Sequence, residues 1–334
     1  MHFLRHPPQP DTVGMDATLL HGAGKTRGAT GTPGGPPSSL VRGLLTMTGA
    51  GVSNQLGAGI GAHAFPAIGP AGVVAVRQLV AAAVLLPAAR PPLHRFTWRQ
   101  WWPVLLLGAA TALMNICLYM AIDRIGLGLA VTLEFLGPLA VALLSSRSRW
   151  DLLCGIGAGV GVYVLVMPGP ASDLVGILIG LGGAAGWAAY ILLNRVAGQR
   201  LPGLQAPAAA SLVSLVLYVP VAIHLLANGR FTGPAMLYAA AAGILCSVVP
   251  YAADLIALRF VPAGFFGVFM SINPILAAVS GIVVLGQVLM LHEWLGIALI
   301  VAANAAANAA AIWLAGRRRR IPGRAGQLVT SRRS

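Results

Sequence analysis

The sequence predicts an all-α polytopic membrane protein with ten transmembrane helices, arranged as two inverted five-helix repeats. Three observations support this prediction: the apolar composition, the number of apolar segments and the distribution of basic residues. Of 334 residues, 57% are hydrophobic and only 9% are charged, whereas about 25% of the residues in a soluble domain are charged. The 42 glycines favour close helix packing in lipid, and the pattern lacks the alternating strands of a membrane barrel.

Ten apolar segments follow one another, each near the roughly 20 residues that a helix needs to cross the hydrocarbon core. Their connections are mostly short, which predicts antiparallel neighbours and no inserted soluble domain. Receptors and tethered enzymes with a cytosolic catalytic domain are therefore excluded. The segments are residues 44–62, 70–89, 102–121, 126–146, 150–167, 174–194, 207–227, 235–257, 262–284 and 292–315.

The basic residues alternate between the two predicted sides of the membrane. With the N-terminus in the cytoplasm, 19 of the 22 Lys and Arg residues lie on the cytoplasmic side, two lie opposite, and Arg77 lies within a span. An excess of Lys and Arg marks cytoplasmic loops, so ten spans with both termini in the cytoplasm are expected. The net charge of +14 thus reflects topology and not nucleic-acid binding.

The chain divides into two tails and two halves. Residues 1–40 are rich in Pro, Gly, Thr and Ser, which predicts a disordered cytoplasmic tail without a signal peptide. Residues 316–334 form a basic cytoplasmic tail that faces anionic headgroups. Between the tails we expect one five-helix repeat over residues 41–168 and a second over residues 169–315.

A shift of 136 residues places the spans of the second half on those of the first. Pro66 then coincides with Pro202, and Pro138 with Pro274. The register of spans and prolines, rather than residue identity, indicates the repeat. Because five is odd, the second half enters the membrane in the opposite orientation, as in secondary transporters that work by alternating access.

Charged residues within the spans are the first candidates for function, because a charge at the bilayer centre costs about 2.5–3.5 kcal/mol. Glu134 is followed by Gly137 and Pro138, and the proline opens the hydrogen bonding of its helix. Glu134 could exchange a proton, bind an ammonium group or form a structural pair with Arg77. Arg77 could instead pair with Asp254, bind a substrate carboxylate or extend toward the interface.

Polar residues in other spans extend this candidate site. Asp254 could contribute to the site or pair with an arginine at the cytoplasmic end. Asn273 precedes Pro274 and could bind substrate or satisfy backbone groups that the proline frees. Asn115 and Tyr119 are four residues apart and share a helix face. These two residues and Trp187 could line a cavity or simply pack.

The motifs of common enzymes are missing from the sequence. It contains no HExxH, P-loop or GxSxG motif and no acidic cluster for Mg²⁺. The three cysteines are isolated in apolar segments and not spaced for a metal or redox pair. We therefore expect no enzyme activity, cofactor or metal. The small-residue faces of spans five and ten favour close packing or a homodimer.

Five blocks carry a resemblance to a known family: FPAIGPAGVVAVRQLV, MNICLYMAIDRIGLGLAVTLEFLGPLAVALLSSR, GGAAGWAAYIL, PYAADLIAL and GVFMSINPILAAVSGIVVLGQ. The chain resembles the EamA type of the drug/metabolite transporter superfamily, and within it the bacterial threonine/homoserine exporters. The resemblance implies a multi-pass inner-membrane protein with a central cavity. It also implies efflux of small polar amino acids by proton exchange. From the prolines we expect bends at Gly137–Pro138 and Asn273–Pro274, about which the two halves rock.

Two positions depart from the exporter pattern. Ile272–Asn273 and Gln287 stand where the exporters carry acidic residues, so the proton site falls more heavily on Glu134. The same fold could also carry another metabolite or a lipophilic drug, for which a wider and more aromatic cavity is expected. An intramembrane enzyme and a channel are weaker alternatives, because the sequence has neither a catalytic constellation nor a filter.

Overall fold

The computed structural model describes residues 37–145, 149–167, 173–250, 252–253 and 269–320. Within these residues the chain forms helices and no β-strand. A 3₁₀ turn at Leu93–Arg95 follows α2, and a π-helical turn at Ile244–Val248 follows α10. The helices are α1 Pro37–Ala62, α2 Phe65–Ala89, α3 Trp98–Ile125, α4 Leu127–Glu134, α5 Leu136–Ser145, α6 Arg149–Val166, α7 Leu174–Gly198, α8 Gln205–Leu217, α9 Val219–Ala227, α10 Gly233–Gly243, α11 Asn273–Leu285 and α12 Leu291–Arg320.

Five stretches of the described chain are long and apolar enough to cross a membrane: α2, α3, Leu127–Leu144 (α4 with α5), α7 and Leu291–Ala310 in α12. The pair α8 and α9, bent by 40°, would make a sixth span. Shorter apolar helices lie at Leu153–Val166, Gly233–Val248 and Asn273–Leu285. The all-helical, multi-spanning class is thereby confirmed, whereas ten spans in two inverted repeats remain a prediction.

Most of the two predicted tails lies outside the described residues. Helix α1 begins at Pro37, within the predicted N-terminal tail, and α12 continues to Arg320, within the predicted C-terminal tail. In the span that contains Glu134, α4 and α5 meet at Phe135. The carbonyl of Glu134 lies four residues before Pro138, which has no N–H to donate to it. The predicted bend thus lies at a break between two short helices.

Each of the longer helices packs against two or more others. The most extensive contact joins α3 to α7, and α6 lies along α12. Helix α1 contacts α10 and α11, α2 contacts α8 and α10, and α4 lies between α7 and α11. A cavity lies between helices α1 to α4, α11 and the π-helical turn.

Four buried glycines form one face of α7, which we call the glycine face: Gly176, Gly180, Gly183 and Gly186. A Cβ atom at Gly176 would lie 2.6 Å from Cγ2 of Ile125, and one at Gly186 would lie 3.0 Å from the backbone of Met114. A Cβ atom at Gly137 would overlap the carbonyl oxygen of Ala184. The backbone of α7 therefore touches α3 and α5 directly, as small residues allow in lipid.

The small residues of α6 and α12 pack partly within the chain. A Cβ atom at Gly161 would lie 2.8 Å from Cγ1 of Ile300, and one at Gly296 would lie 2.5 Å from Cα of Leu165. Gly157 and Gly159 have nothing within 4 Å of such a Cβ atom among the described residues. The predicted close packing of these two helices is thus present at Gly161 and Gly296, and the homodimer stays a prediction.

Candidate functional site

A cavity of about 170 Å³ lies between α1, α2, α3, α4 and the π-helical turn, with Trp187 of α7 at its wall. Its lining is mainly apolar, and its polar side chains come from five helices. A few convergent polar groups in an apolar cavity are typical of a small-molecule site. These polar residues are Asn54, Gln55, Arg77, Asn115, Glu134 and Asn273.

Glu134 is the acidic residue of the cavity wall. It is the last residue of α4 and only 5% exposed, and its Oε1 has no hydrogen-bond partner in the described part of the chain. Helix α7 passes close by at Gly183, where a Cβ atom would lie 3.8 Å from Cγ of Glu134. Burying a carboxylate oxygen without a hydrogen-bond partner costs free energy. Protonation of Glu134 or a bound ligand would reduce this cost.

Asn115 provides a second acceptor in the same cavity. Its Nδ2 donates to the carbonyl oxygen of Thr111 at 2.8 Å, which fixes the orientation of the amide. Its Oδ1 is buried and, like Oε1 of Glu134, has no partner among the described residues. The cavity wall thus holds two acceptors without a partner in the described part of the chain, whereas buried polar groups in proteins are normally hydrogen-bonded.

Arg77 brings a positive charge to the cavity from α2. Its Nε lies 3.5 Å from Oγ of Ser247, at the long limit of a hydrogen bond, and its Cζ lies 5.5 Å from the centroid of the Tyr119 ring. That distance is within the range of a cation–π interaction. Arg77 and Glu134 line the same cavity, yet no direct ion pair joins them in the described part of the chain.

Three of the four remaining candidates differ in where they lie relative to the cavity. Tyr119 is fully buried and supports Arg77 from behind, outside the cavity wall. Trp187 contacts Phe135 edge-to-face, with ring centroids 4.7 Å apart, and both rings line the cavity. Asn273 lines the cavity and donates from Nδ2 to the carbonyl oxygen of Met270 at 2.8 Å. Asp254 lies outside the described residues.

Sequence reasoning missed the contribution of α1 to the cavity. Asn54 and Gln55 both line it, and Gln55 is only 2% exposed. The available signal was the polar run Ser53–Gln55 in an otherwise apolar span. Cys246, one of the three isolated cysteines, also lines the cavity and donates from Sγ to the carbonyl oxygen of Asn54 at 3.1 Å.

The polar set of the cavity does not resemble a metal site. Among the described residues, no three His, Cys, Asp or Glu side chains lie close enough together to hold a metal ion. One carboxylate, one guanidinium and several amides instead form a mixed polar lining inside a bundle of apolar helices. This combination describes a multi-spanning membrane protein with an internal polar cavity, an arrangement that secondary transporters share.

Comparison with known proteins identifies the family. Residues 174–308 match the model of the EamA-like transporter family. The chain is 36% identical over 264 residues to the threonine/homoserine exporter RhtA of Escherichia coli (strain K12), covering 78% of this chain and 89% of that protein. RhtA of Salmonella typhimurium (strain LT2) is 35% identical over the same length. The chain belongs to the EamA-like transporter family, which confirms the resemblance inferred from the sequence blocks.

A more distant relative and a solved structure agree with this assignment. The uncharacterized transporter YwfM of Bacillus subtilis (strain 168) is 24% identical over 238 residues, covering 68% of this chain and 80% of that protein. One solved crystal structure superimposes with a TM-score of 0.50 at 19% identity, covering 83% of this chain and 98% of the other. That structure supports the fold alone. The names of the relatives are those of transporters, which favours transport over enzyme activity.

Proposed function

We propose that the protein exports small amino acids of the threonine and homoserine type across the bacterial inner membrane in exchange for protons. One observation carries the proposal for this chain: Oε1 of Glu134 and Oδ1 of Asn115 are buried in the wall of one cavity and have no hydrogen-bond partner among the described residues. An ammonium group has three donors and no acceptor, so its chemistry is complementary to these acceptors. The names of the RhtA relatives support the same cargo.

The size of the cavity supports a small cargo. Its volume of about 170 Å³ is below the roughly 300–1,000 Å³ of sites that enclose a drug-sized ligand. Two aromatic rings, Phe135 and Trp187, lie in its wall beside six polar side chains. A wide aromatic cavity for a lipophilic drug is therefore less consistent with the structure than a site for a polar metabolite.

Proton exchange follows from competition for one carboxylate. A charged carboxylate that is buried without a partner is strongly disfavoured. The empty site is therefore stable when Glu134 carries a proton, and the loaded site is stable when Glu134 carries the substrate ammonium. Because one carboxylate holds only one of the two, each passage of substrate outward is coupled to a proton moving inward.

The helix contacts support the proposed inverted repeats over residues 41–168 and 169–315. Exchange of the two halves maps α1 on α7, α2 on α8, α3 on α10 and α4 with α5 on α11. The contact of α1 with α11 then corresponds to that of α7 with α4 and α5, and the contact of α3 with α8 to that of α10 with α2. The α3–α7 contact likewise corresponds to α10–α1. We propose ten spans on this basis, and we place both termini in the cytoplasm because of the distribution of Lys and Arg.

The proposed bends occupy corresponding places in the two halves. Helix α5 begins at Leu136, next to Gly137–Pro138, and α11 begins at Asn273, next to Pro274. Both helix starts lie at the cavity, where Phe135 and Asn273 are part of its wall. Rocking of the halves about these two breaks would open the cavity to one side of the membrane at a time.

The test is labelled-threonine flux in proteoliposomes under an imposed pH gradient. We expect the parent to accumulate threonine against its gradient and Glu134→Gln to lose this accumulation, because the amide cannot exchange a proton. Asp123→Asn is the matched control, since Asp123 is an exposed carboxylate near the end of α3. It should keep the parental flux.

The other outcomes would separate the alternatives. Parental accumulation in Glu134→Gln would contradict the proton role of this residue. No threonine or homoserine flux in the parent would contradict the cargo and favour another metabolite. Recovery of a chemically altered amino acid from the vesicles would indicate an enzyme.

A further inference from the structure

The π-helical turn Ile244–Val248 is a local departure from α-helix at the cavity wall. The N–H of Val249 donates to the carbonyl of Ile244, five residues earlier. Pro250 has no N–H to donate to the carbonyl of Cys246, so the usual pattern cannot continue there. Single π-helical turns inside helices are frequent at functional sites, and this one lies beside the candidate site.

Three consecutive residues of the π-helical turn bond to neighbouring helices. The carbonyl oxygen of Leu245 accepts a hydrogen bond from Oγ of Ser53 at 2.9 Å. Sγ of Cys246 donates to the carbonyl oxygen of Asn54 in α1. Oγ of Ser247 accepts from Nε of Arg77 in α2. The turn therefore fixes the position of Ser247 relative to α1 and holds one edge of the Arg77 guanidinium.

The contacts of Arg77 leave most of its donors for a ligand. A guanidinium has five N–H groups, and the bond to Ser247 uses the one on Nε. In the part of the chain that the structure describes, Nε donates to Ser247, and Tyr119 is a further side-chain hydrogen-bond partner of Arg77. The ring of Tyr119 also lies on one side of the guanidinium group. Three N–H groups remain, and two of them can bind a carboxylate through two parallel bonds.

The geometry points to Arg77 as the receptor for the α-carboxylate of the substrate, with Ser247 of the π-helical turn as its positioning residue. This inference rests on the proposed function, which places the substrate ammonium at Glu134 and Asn115. The cavity wall then offers one negative and one positive side chain, in keeping with a zwitterion. Compounds that have an ammonium group but no free carboxylate should be poor substrates.

The experiment compares threonine with threoninol, in which a hydroxymethyl group replaces the carboxylate. The KM of labelled threonine and the inhibition constant of threoninol are measured for the parent, Arg77→Gln and Ser247→Ala in proteoliposomes. Arg77→Gln should raise the KM of threonine about tenfold to hundredfold, and Ser247→Ala about three- to tenfold. Neither variant should raise the inhibition constant of threoninol.

Ser214→Ala is the matched serine control, since Oγ of Ser214 is buried in α8, outside the cavity lining. It should leave both constants at the parental value, and thermal unfolding confirms that each variant is folded. Parallel changes for threonine and threoninol in Arg77→Gln would overturn the carboxylate assignment, because a general structural defect affects both compounds. Absence of threonine flux in the parent would instead overturn the proposed function, and this inference with it.

Discussion

The glycine face of α7 and the cavity both involve α3 and α4, yet they are packed in opposite ways. At the glycine face α7 packs tightly, since a Cβ atom added at Gly176 or Gly186 would lie 2.6 Å or 3.0 Å from an atom of α3. At the cavity, about 170 Å³ stays open and two buried acceptors have no partner among the described residues. Close packing stabilises, whereas unpaired buried polar atoms destabilise. The contrast supports a division of roles in which the first region maintains the fold and the second is the proposed binding site.

The largest loss of stability is expected from a substitution of Gly137, which packs closely against α7. Gly137→Ala would place a Cβ atom against the carbonyl oxygen of Ala184, so α5 and α7 must separate. Inserting one carbon into a packed core costs about 1–3 kcal/mol, and more where the neighbour is rigid backbone. We expect a marked loss of thermal stability in detergent, together with loss of flux.

Gly159→Ala is the control for this substitution. Gly159 lies in a helix, is exposed, and has nothing within 4 Å of an added Cβ atom among the described residues. Alanine is favoured over glycine in a helix by about 0.5–1 kcal/mol, so stability should stay equal or rise. Equal losses of thermal stability in the two variants would contradict the role of close packing at Gly137 in maintaining the fold.

A substitution in the cavity wall should change transport strongly and stability little. Asn115→Leu removes Oδ1 from the cavity wall and keeps the number of side-chain heavy atoms. It also removes the bond to Thr111, so the net change in stability should be within about 1 kcal/mol. The KM of threonine should rise about tenfold, because one ammonium acceptor is lost. A loss of stability as large as that of Gly137→Ala would remove the contrast between the regions.

The candidate site could be predicted from the sequence where charge stands out against an apolar background. Glu134 and Arg77 are charges within spans, and Pro138 and Pro274 are breaks in helical hydrogen bonding. These features are local, so one sequence suffices to find them. Both charged residues and Asn273 lie in one cavity wall, although they are far apart in the chain.

Features that depend on packing between helices could not be predicted. Ile244–Val248 has no sequence signature of a π-helical turn, and its bonds to Ser53 and Asn54 join residues 192 positions apart. Tyr119 shares a helix face with Asn115, yet it lies outside the cavity lining, where its ring faces Arg77 and its hydroxyl lies 3.9 Å from Sγ of Cys246. The same limit applies to the number of spans, since several apolar helices are shorter than a membrane crossing requires.

A smaller effect on stability is expected from a substitution of Gln287, which contacts the first residue of α4. Glu134 is the last residue of the same helix. Oε1 of Gln287 accepts a hydrogen bond from the N–H of Leu127 at 3.1 Å. The side chain also lies against Gly126, whose φ of 85° favours glycine. Gln287→Ala removes the cap of the helix and should cost about 1 kcal/mol of stability. Flux should stay near the parental rate, since the cavity is not touched.

Gln287→Glu is the informative companion variant. A carboxylate keeps the acceptor for Leu127 and is favoured at a helix N-terminus, so thermal stability should stay at the parental value or above it. The residue would also restore the acidic side chain of the exporter pattern. If Gln287→Ala abolished threonine flux while the protein stayed folded, α4 would have to be treated as part of the transport step itself.

The smallest effect on stability is expected for a substitution of Asp173. This residue is the N-cap of α7 and lies outside the packed glycine face. Its Oδ1 accepts from the N–H of Gly176 at 2.8 Å, and its Oδ2 lies 2.9 Å from Nε of Arg124. The Gly176 bond, followed by Arg124, holds the pKa of this carboxyl below its usual value. Asp173→Asn keeps a cap on α7, so only the exposed ion pair is lost, which contributes little.

The pH dependence of this difference has a definite sign. Because the pKa of Asp173 is lower in the folded protein, its contribution is fully present above the ordinary Asp value of about 3.9 and is lost as the pH falls through the folded value. Parent and Asp173→Asn should therefore differ slightly in thermal midpoint at neutral pH and converge in acid. High salt should also bring them together. A difference that grew on acidification would show that Asp173 stabilises α7 in its protonated form.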